Sequence, residues 1–236
     1  MLTRNNHTMN EASKTNKLRG PQFARTYLHG KVLDIGAGGD TVCATARSFD
    51  VEDGDANRIT DYIPAESYDV VHSSHCLEHM FNPVDALHTW WAVLKKGGYL
   101  ILVVPEENLY EQGLFPLFMN DDHKASFRLG GDTSWSPLSY DVKKLCSDLP
   151  DAVVLSADIQ DAGYDKRYIF PQHLTPTRKI PKRYKWPLSL IKRVPYFGEN
   201  LELWYRKKLV SKGIPLDQTR FDALAQIQVI VQKAAV

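Results

Sequence analysis

Short apolar runs separated by amphipathic and polar stretches predict an α/β protein, in which strands and helices alternate along the chain. Lys31–Gly36, Tyr68–Ser74 and Tyr99–Val104 are apolar runs of strand length, and the last is apolar throughout, as a central parallel strand should be. Pro83–Leu94 carries apolar residues at helical spacing and predicts a helix. A shorter helix is expected within Pro21–His29.

The remaining elements follow from capping residues and from periods in the hydrophobic pattern. We expect a helix at Asp40–Arg47 capped by Asp40, a helix at Ser139–Leu149 capped by Ser139, a strand at Ala152–Ile159, a strand at Tyr164–Phe170 and an amphipathic helix at Asp217–Lys233. The chain then divides into a flexible polar lead at 1–20, a main domain at 21–175 and a C-terminal extension at 176–236 that ends in that helix.

Composition and length place the chain among ordinary globular proteins. Its 236 residues are 43% hydrophobic and 24% charged, with a formal net charge of +1. The three cysteines are scattered without a C-x-x-C pair, which argues against a disulfide framework and a structural zinc site and favours a reducing, cytoplasmic location. The polar N-terminus lacks an apolar signal segment, and the longest aliphatic run is Tyr99–Val104, so we expect no membrane insertion.

The modest net charge conceals a basic block at 178–208, in which ten lysines and arginines face two glutamates. Aromatic residues are interleaved with these cations. Such a block can serve a phosphate-bearing substrate, nucleic acid or an anionic membrane face. It can equally be a solvated lobe whose aromatic residues form its core, and its three prolines prevent one long basic helix.

The most informative motif is the glycine corner at Val32–Asp40, which reads VLDIGAGGD. Glycines let the backbone adopt positive φ and approach a ligand closely, and the helix expected to follow would offer unpaired N–H groups. A dinucleotide fingerprint needs a third glycine where Thr41 stands. Asp34, two positions before the first glycine, would repel a pyrophosphate and favour a ligand with an amino group.

With this motif the chain resembles the class I S-adenosylmethionine-dependent methyltransferases. Further resemblance lies in the segments Gly54–Ala56, Ser67–His79 and Leu94–Leu100, at spacings similar to those of the family. The resemblance implies a Rossmann-like α/β sandwich with a mostly parallel sheet and an antiparallel last strand, and it implies S-adenosyl-L-methionine as cofactor. Only Ser48–Asp53 is available for the family's second strand, second helix and third strand, so we expect a sheet shortened in that region.

The resemblance also assigns cofactor contacts. Asp50 is expected to accept hydrogen bonds from the ribose hydroxyls, with Glu52 and Asp53 as competitors for that role, and Asp55 is expected to meet the adenine beside the small Ala56. Ligands of parallel sheets bind beyond the carboxyl ends of the strands, which brings the end of the 68–74 strand to the methionine part of the cofactor. The full set is Asp34, Gly36, Ala37, Gly38, Asp50, Asp55, Ala56, Ser74 and His75.

A metal site deserves separate consideration, because His72, His75, His79 and Glu78 are close in sequence. Alternate side chains of a strand point to opposite faces, and His75 and His79 would share a face only if a helix began at once. We therefore predict no metal site here and interpret Glu78 and His79 as residues that anchor a turn.

The long loop at 106–137 begins where the central strand ends, which is typical of a lid or substrate pocket. Its His123 is the first candidate for a general base, because the flanking Asp121 and Asp122 could raise its basicity, and His75 is the second. Substrate contacts are predicted for Glu107, Tyr110 and Trp135.

Within the family, the wording of Ser73–His79, Trp90–Trp91, Gly97–Tyr99 and Glu111–Gly113 is similar to enzymes encoded with surface-polysaccharide genes. This implies O-methylation of a small polar acceptor such as a sugar, a nucleotide-sugar or another phosphate-type or glycan precursor.

Three alternatives remain at this stage: a nucleic-acid methyltransferase, another small-molecule methyltransferase, and a silent protein that binds only the cofactor or a partner. The N/D-P-P-Y motif of base-methylating relatives is absent at Ser73–Cys76, which argues against nucleic acid. The amphipathic helix at Asp217–Lys233 could pack back on the domain or form a homodimer.

Overall fold

The computed structural model describes residues 11–191 and 198–235. Its helices are α1 (Glu11–Asn16), α2 (Pro21–Tyr27), α3 (Pro83–Ala92), α4 (Val142–Ser147), α5 (Lys182–Ile191) and α6 (Gly198–Val210). Its strands are β1 (Val32–Ile35), β2 (Arg47–Phe49), β3 (Tyr68–Ser74), β4 (Leu94–Pro105), β5 (Ser126–Arg128), β6 (Ser139–Asp141), β7 (Ala152–Gln160) and β8 (Gln226–Lys233). Among the helices in this part of the chain, none combines the length and apolarity needed to cross a membrane.

Six strands form one sheet in the order β2-β1-β3-β4-β8-β7, and β5 pairs with β6 in a small separate sheet. The strands β2, β1, β3 and β4 are parallel, whereas β8 runs antiparallel to both of its neighbours. This confirms the Rossmann-like α/β sandwich with a mostly parallel sheet. The segment 36–67 contains one three-residue strand and a short 3-10 helix, so the predicted shortening near the second strand is also confirmed.

Each face of the sheet is covered by its own apolar layer. Trp90 and Trp91 of α3 and Cys146 of α4 pack on one face against alternate residues of β1, β3, β4 and β8. Phe23 and Tyr27 of α2 pack on the other face. The helix α3 begins where Asn82 accepts hydrogen bonds from two backbone N–H groups and a proline occupies the first turn, as the sequence predicts.

The prediction of a C-terminal amphipathic helix is wrong, because Gln226–Lys233 is the strand β8 inside the main sheet. Ile227, Val229 and Val231 are buried on one face, and the segment is rich in β-branched residues, which favour strands. The expected last strand at Tyr164–Phe170 is also wrong, since it contains only a 3-10 helix. The homodimer expected from a terminal helix loses that basis.

Two further predictions near the site are corrected. Residues 40–46 form turns rather than the expected helix, because β2 begins at Arg47 and Thr41, Val42 and Thr45 are poor helix formers. The helix expected from Ser139 begins at Val142, with Asp141 as its N-cap.

The part of the N-terminal lead that the structure describes, 11–20, is ordered and holds α1, whereas residues 1–10 lie outside the described residues. Ser13 donates from its backbone N–H to Asp40, and Lys14 donates to the carbonyl of Thr219. Gln226, at the amino end of β8, donates to the hydroxyl of Thr15. Residues 11–20 are therefore packed between the glycine corner and the C-terminal segment, and for this part of the lead the predicted flexibility is wrong.

Candidate active site

The glycine corner follows β1, where Gly36 and Gly38 adopt φ of +74° and +55°. A Cβ on Gly36 would lie 2.6 Å from the sulfur of Cys76, so glycine is required there for packing as well as for conformation. Nothing in the described chain lies within 4 Å of the place where a Cβ of Gly39 would be. Because turns follow instead of a helix, the corner offers loop amides to a ligand rather than a helix N-terminus.

Beside this corner lies a buried pair of side chains. Asp34 Oδ1 is 2.6 Å from His72 Nδ1, and Asp34 Oδ2 accepts from the Val42 N–H at 2.6 Å. His72 Nε2 is 3.3 Å from a guanidinium nitrogen of Arg19. Burial lowers the pKa of His72 although Asp34 opposes that shift, so the neutral imidazole donates to Asp34 and accepts from Arg19. Both Asp34 oxygens, predicted to meet the cofactor, are thus engaged within the protein.

Asp50 lies at the end of β2, as the prediction for a ribose-binding carboxylate requires. Its Oδ2 accepts from the Gly38 N–H at 2.6 Å, which links β2 to the glycine corner. Of the two competitors, Asp53 accepts from the backbone N–H of Asp50, and Glu52 is exposed. Asp50 Oδ1 also accepts from the Val51 N–H, and Asp50 is the one of the three described acidic residues that binds the glycine corner directly.

Asp55 and Ala56 begin the 3-10 helix at Ala56–Asp61. Asp55 caps this helix by accepting from the backbone N–H and the side-chain amide of Asn57, and these bonds hold the pKa of its carboxyl below the usual value. The carbonyl of Ala56 accepts from the indole of Trp90. These contacts fix the predicted adenine segment against α3.

At the carboxyl end of β3, Ser74 and His75 lie at the same sheet edge as the glycine corner, because β1 and β3 are parallel neighbours. The Ser74 hydroxyl oxygen is buried and has no hydrogen-bond partner among the described residues. His75 has φ of +53°, and its Nε2 lies 3.0 Å from the amide oxygen of Gln226. The open space at Gly39, the unpartnered hydroxyl of Ser74 and the carboxylates fit a cofactor with amino, ribose and adenine groups.

The loop after β4 contains a second histidine–carboxylate pair. His123 Nδ1 lies 2.6 Å from Glu111 Oε1, and both side chains are buried. Glu111 belongs to a single-turn π-helix at Glu107–Glu111, a type of turn frequent at functional sites. Tyr110 stacks on His123 with ring centroids 5.2 Å apart, so two of the residues predicted for substrate and catalysis are neighbours.

The aspartates beside His123 do not contact its ring in the way that the sequence suggested. Asp122 Oδ2 is 2.9 Å from His79 Nδ1 instead, and Asp121 forms an ion pair with Arg178. The carboxylate that holds the ring of His123 is therefore that of Glu111, which lies 12 positions away in sequence.

The buried carboxylate of Glu78 lies at the centre of a group of three imidazoles. Its Oε1 is 3.6 Å from His75 Nδ1 and 3.9 Å from the Nε2 atoms of His79 and His123. Burial raises the pKa of Glu78, but the three imidazoles outweigh that effect and hold it below its usual value. Neither Glu78 oxygen has a hydrogen-bond partner among the described residues. The 3-10 helix at Leu77–His79 begins just after β3, which is the condition under which His75 and His79 approach each other.

The other two predicted substrate residues lie elsewhere in the loop. Glu107 is buried and accepts hydrogen bonds from the hydroxyls of Ser134 and Ser139. The Trp135 indole donates to the side chain of Asn108 at 3.1 Å. Glu107 therefore holds the loop together, whereas Trp135 remains partly exposed.

A cavity of about 500 Å³ lies between the loop and the C-terminal segment. Arg178, Arg206 and Arg220 line it, and one wall is the segment 118–121, which leads directly into Asp122 and His123. Arg206 is bound by Glu202, and Arg220 is exposed. The carboxylates of Asp121 and Asp217 also line the cavity, so the three arginines leave a small excess of positive charge there. The chain joins this cavity to the histidine group through Asp122.

Sequence reasoning gave Glu78 only a turn-anchoring role, and it gave none to Glu111 or to the individual arginines of the cavity. Glu111 carried a signal, since Glu111–Gly113 is part of the resemblance to the family. The other contacts join segments far apart in sequence and had no local signal.

Comparison with known proteins shows the family of the chain. A sequence profile for the family described as "Methyltransferase domain" matches residues 6–166. No curated protein matches the chain. Among solved structures, a proposed sarcosine dimethylglycine methyltransferase from Galdieria sulphuraria is 15% identical over 94% of this chain and 86% of its own, with a TM-score of 0.51.

Two other similar structures are a methyltransferase from Archaeoglobus fulgidus, described as SAM-dependent, and a proposed methyltransferase from Bacillus halodurans. Their identities are 15% and 14%, and their TM-scores are 0.45 and 0.47. They cover 94% and 95% of this chain, and this chain covers 94% and 99% of theirs.

The chain belongs to the methyltransferase-domain family and is a class I S-adenosylmethionine-dependent methyltransferase. Its cofactor is S-adenosyl-L-methionine, as the sequence predicts.

Proposed function

We propose that the protein O-methylates a small, anionic polar acceptor, such as a phosphorylated sugar, a nucleotide-sugar or a similar precursor of a surface glycan. The observation that carries this proposal is the three-arginine cavity whose wall leads into His123. Arginine suits phosphate because its guanidinium offers several donors in a planar array. Free cysteines at 43, 76 and 146 support a reducing compartment, and we place the reaction in the cytoplasm.

The residues of the chain divide the work of the reaction. The glycine corner, Asp50 and Asp55 would hold the cofactor, with Ser74 and His75 at its methionine end. When bound, S-adenosylmethionine supplies an activated methyl group, which an acceptor oxygen takes while the sulfur keeps the electron pair of the broken C–S bond. His123, oriented through Nδ1 by Glu111, takes the acceptor's proton at Nε2.

Charged acceptors provide the test. The purified protein is incubated with methyl-labelled cofactor and pairs of acceptors that differ only in a phosphate, namely sugars and sugar phosphates, and nucleosides and nucleoside monophosphates. Nucleotide-sugars, RNA and DNA are tested beside them. We expect transfer to a phosphorylated member and none to its uncharged partner. Equal transfer to both would contradict the anionic acceptor, transfer only to RNA or DNA would support the nucleic-acid alternative, and cofactor binding without any transfer would support the silent one.

Variants locate the acceptor within the cavity. Arg206→Ala and Arg220→Ala should each raise KM for the charged acceptor about tenfold or more, because each removes a charge-assisted hydrogen bond. Cofactor affinity should not change. Lys185→Ala is the matched control, since Lys185 is an exposed cation of the same basic block that does not line the cavity. An equal rise in KM in all three variants would contradict the assignment of Arg206 and Arg220 to acceptor binding.

A further inference from the structure

The group around Glu78 has more buried charge than its hydrogen bonds explain. Glu78 is fully buried, and both of its carboxylate oxygens lack a hydrogen-bond partner in the described part of the chain. Three imidazole nitrogens surround Oε1 at 3.6–3.9 Å, which is longer than a hydrogen bond. A buried carboxylate left in this way is costly, so an unexplained partner is expected in the space between these atoms.

The distances suit ligands of one cation. Metal–ligand bonds of about 2.0–2.1 Å in a tetrahedral arrangement place neighbouring ligand atoms about 3.3 Å apart, so a small inward shift would suffice. Ligand atoms of Glu78, His79 and His123 all lie within 4.8 Å of one another. His75 is outside this set of three, although its Nδ1 also faces Glu78.

The outer partners of the two histidines support the same interpretation. His79 and His123 each have Nδ1 next to a carboxylate, of Asp122 and Glu111 respectively, and each points Nε2 toward Glu78. A carboxylate on one ring nitrogen fixes the tautomer so that the other nitrogen presents its lone pair, as is usual for metal-bound histidine.

We propose that Glu78, His79 and His123 bind one divalent transition-metal ion of the zinc class. Two imidazoles and a carboxylate are borderline donors that suit such an ion, and three protein ligands leave a position for an exogenous oxygen. The identity of that oxygen rests on the proposed function: it is the acceptor's hydroxyl, whose pKa the cation lowers. With the cation bound, Nε2 of His123 would be a ligand instead of the base, and the acceptor's hydroxyl would release its proton to solvent water as its oxygen takes the methyl group.

This proposal reverses the expectation of no metal site, and the reason is visible in the chain. The sequence argument grouped His72 with His75 and His79, whereas the structure pairs His72 with Asp34 and brings His123 from the distant loop. The proposed metal ligands, Glu78, His79 and His123, are therefore not contiguous in sequence.

Metal binding is measured first without cofactor or acceptor. Untagged protein, stripped with a chelator, is dialysed against Zn²⁺ and its metal content is determined, and Co²⁺ is added separately to record visible d–d absorption. We expect one equivalent per chain and the absorption of a low-coordinate Co²⁺ site. Glu78→Gln and His79→Ala should abolish both, and Glu111→Gln should weaken Zn²⁺ binding about 10–100-fold.

The exposed His88 provides the control, because His88→Ala removes an imidazole outside the group. Circular dichroism and melting curves confirm that each variant is folded. Because Glu78→Gln, His79→Ala and Glu111→Gln are all measured, the result does not depend on a single variant that fails to fold. Absence of stoichiometric binding by the wild type, or equal binding by Glu78→Gln, would overturn the proposal.

Methyl transfer by the metal-stripped protein separates the two proposals. Full activity without metal would overturn the role of the cation and leave the proposed function intact. Stoichiometric metal binding with no transfer to any acceptor would support the site and contradict the proposed function.

Discussion

Two histidine–carboxylate pairs in this protein have the same separation and opposite surroundings. Asp34–His72 and Glu111–His123 both join a carboxylate oxygen to Nδ1 at 2.6 Å, and all four side chains are buried. In the first pair, which we call the closed pair, Nε2 lies beside Arg19. In the second, the open pair, Nε2 lies 3.9 Å from the carboxylate of Glu78, which has no hydrogen-bond partner within the described residues. A histidine–carboxylate pair therefore does not define a reactive site by itself. The group that lies beside Nε2 makes the difference.

The largest expected effect comes from breaking the open pair. His123→Ala should lower kcat about 10²–10⁴-fold, the range for loss of a positioned acid–base group, while the cofactor affinity of the folded variant remains close to that of the wild type. Steady-state kinetics and calorimetric titration with S-adenosylmethionine measure these quantities. Unchanged turnover would remove His123 from the chemistry.

Breaking the closed pair should affect stability instead. His72→Ala leaves Asp34 buried without its main partner, and removing one member of such a pair costs about 3 kcal/mol or more of unfolding free energy. Denaturant unfolding at neutral pH measures this loss. If the folded variant also lost turnover to the extent of His123→Ala, the distinction between the two pairs would be wrong.

The glycine corner offers a test of intermediate size beside the closed pair. Asp50→Ala should weaken cofactor binding about tenfold or more, because hydrogen bonds to a charged group contribute about 1.5–3 kcal/mol. Glu52→Ala, which alters an exposed carboxylate two residues away, should leave the affinity unchanged. Equal cofactor affinities of Asp50→Ala and Glu52→Ala would contradict Asp50 as the ribose ligand and leave Glu52 and Asp53 as the candidates.

The smallest expected effect is on the pH dependence of the free energy of unfolding, to which His72 of the closed pair contributes. Burial lowers the pKa of His72 below its ordinary value of about 6.5, so the unfolded chain binds more protons than the folded chain at acid pH. Its contribution is therefore complete above about pH 6.5 and is lost as the pH falls through the folded value, at no more than about 1.4 kcal/mol per pH unit.

The non-titrating His72→Gln variant is the reference for this measurement. Melting curves from pH 7.5 to about 5 should converge for wild type and variant as the pH falls. Parallel curves would show that another group carries the acid sensitivity.

The sequence predicted those parts of the fold whose causes are local. The strand Tyr68–Ser74 has the predicted bounds, because its apolar run ends where polar residues begin. The glycine corner was recognisable because only glycine tolerates its backbone and its contact with Cys76. The helix expected at Asp217–Lys233 was wrong because apolar residues occur there at helical spacing and also at the alternating spacing of a strand. The segment Gln226–Lys233 pairs with its neighbours as a strand.

The site was predicted only in part, for a related reason. His123, His75 and Asp50 were proposed from their positions after strands and in the loop. The structure places Asp50 and His75 after β2 and β3, which flank β1, and it places His123 beside Glu78, which follows β3. The partners that decide their chemistry, Glu111 and Glu78, depend on how the loop folds back over β3. Such contacts across the fold have no period or spacing in the sequence.

The position of β8 has a consequence for how the chain folds. This strand separates β4 from β7, and the long segment 161–225 precedes it. Until β8 inserts, β4 and β7 each have an unpaired edge, and pairing over such a sequence distance is slow. The same insertion brings Gln226 to His75. We therefore expect the β4-β8-β7 part of the sheet to form late in folding, and a partly folded chain would be prone to aggregation through those edges.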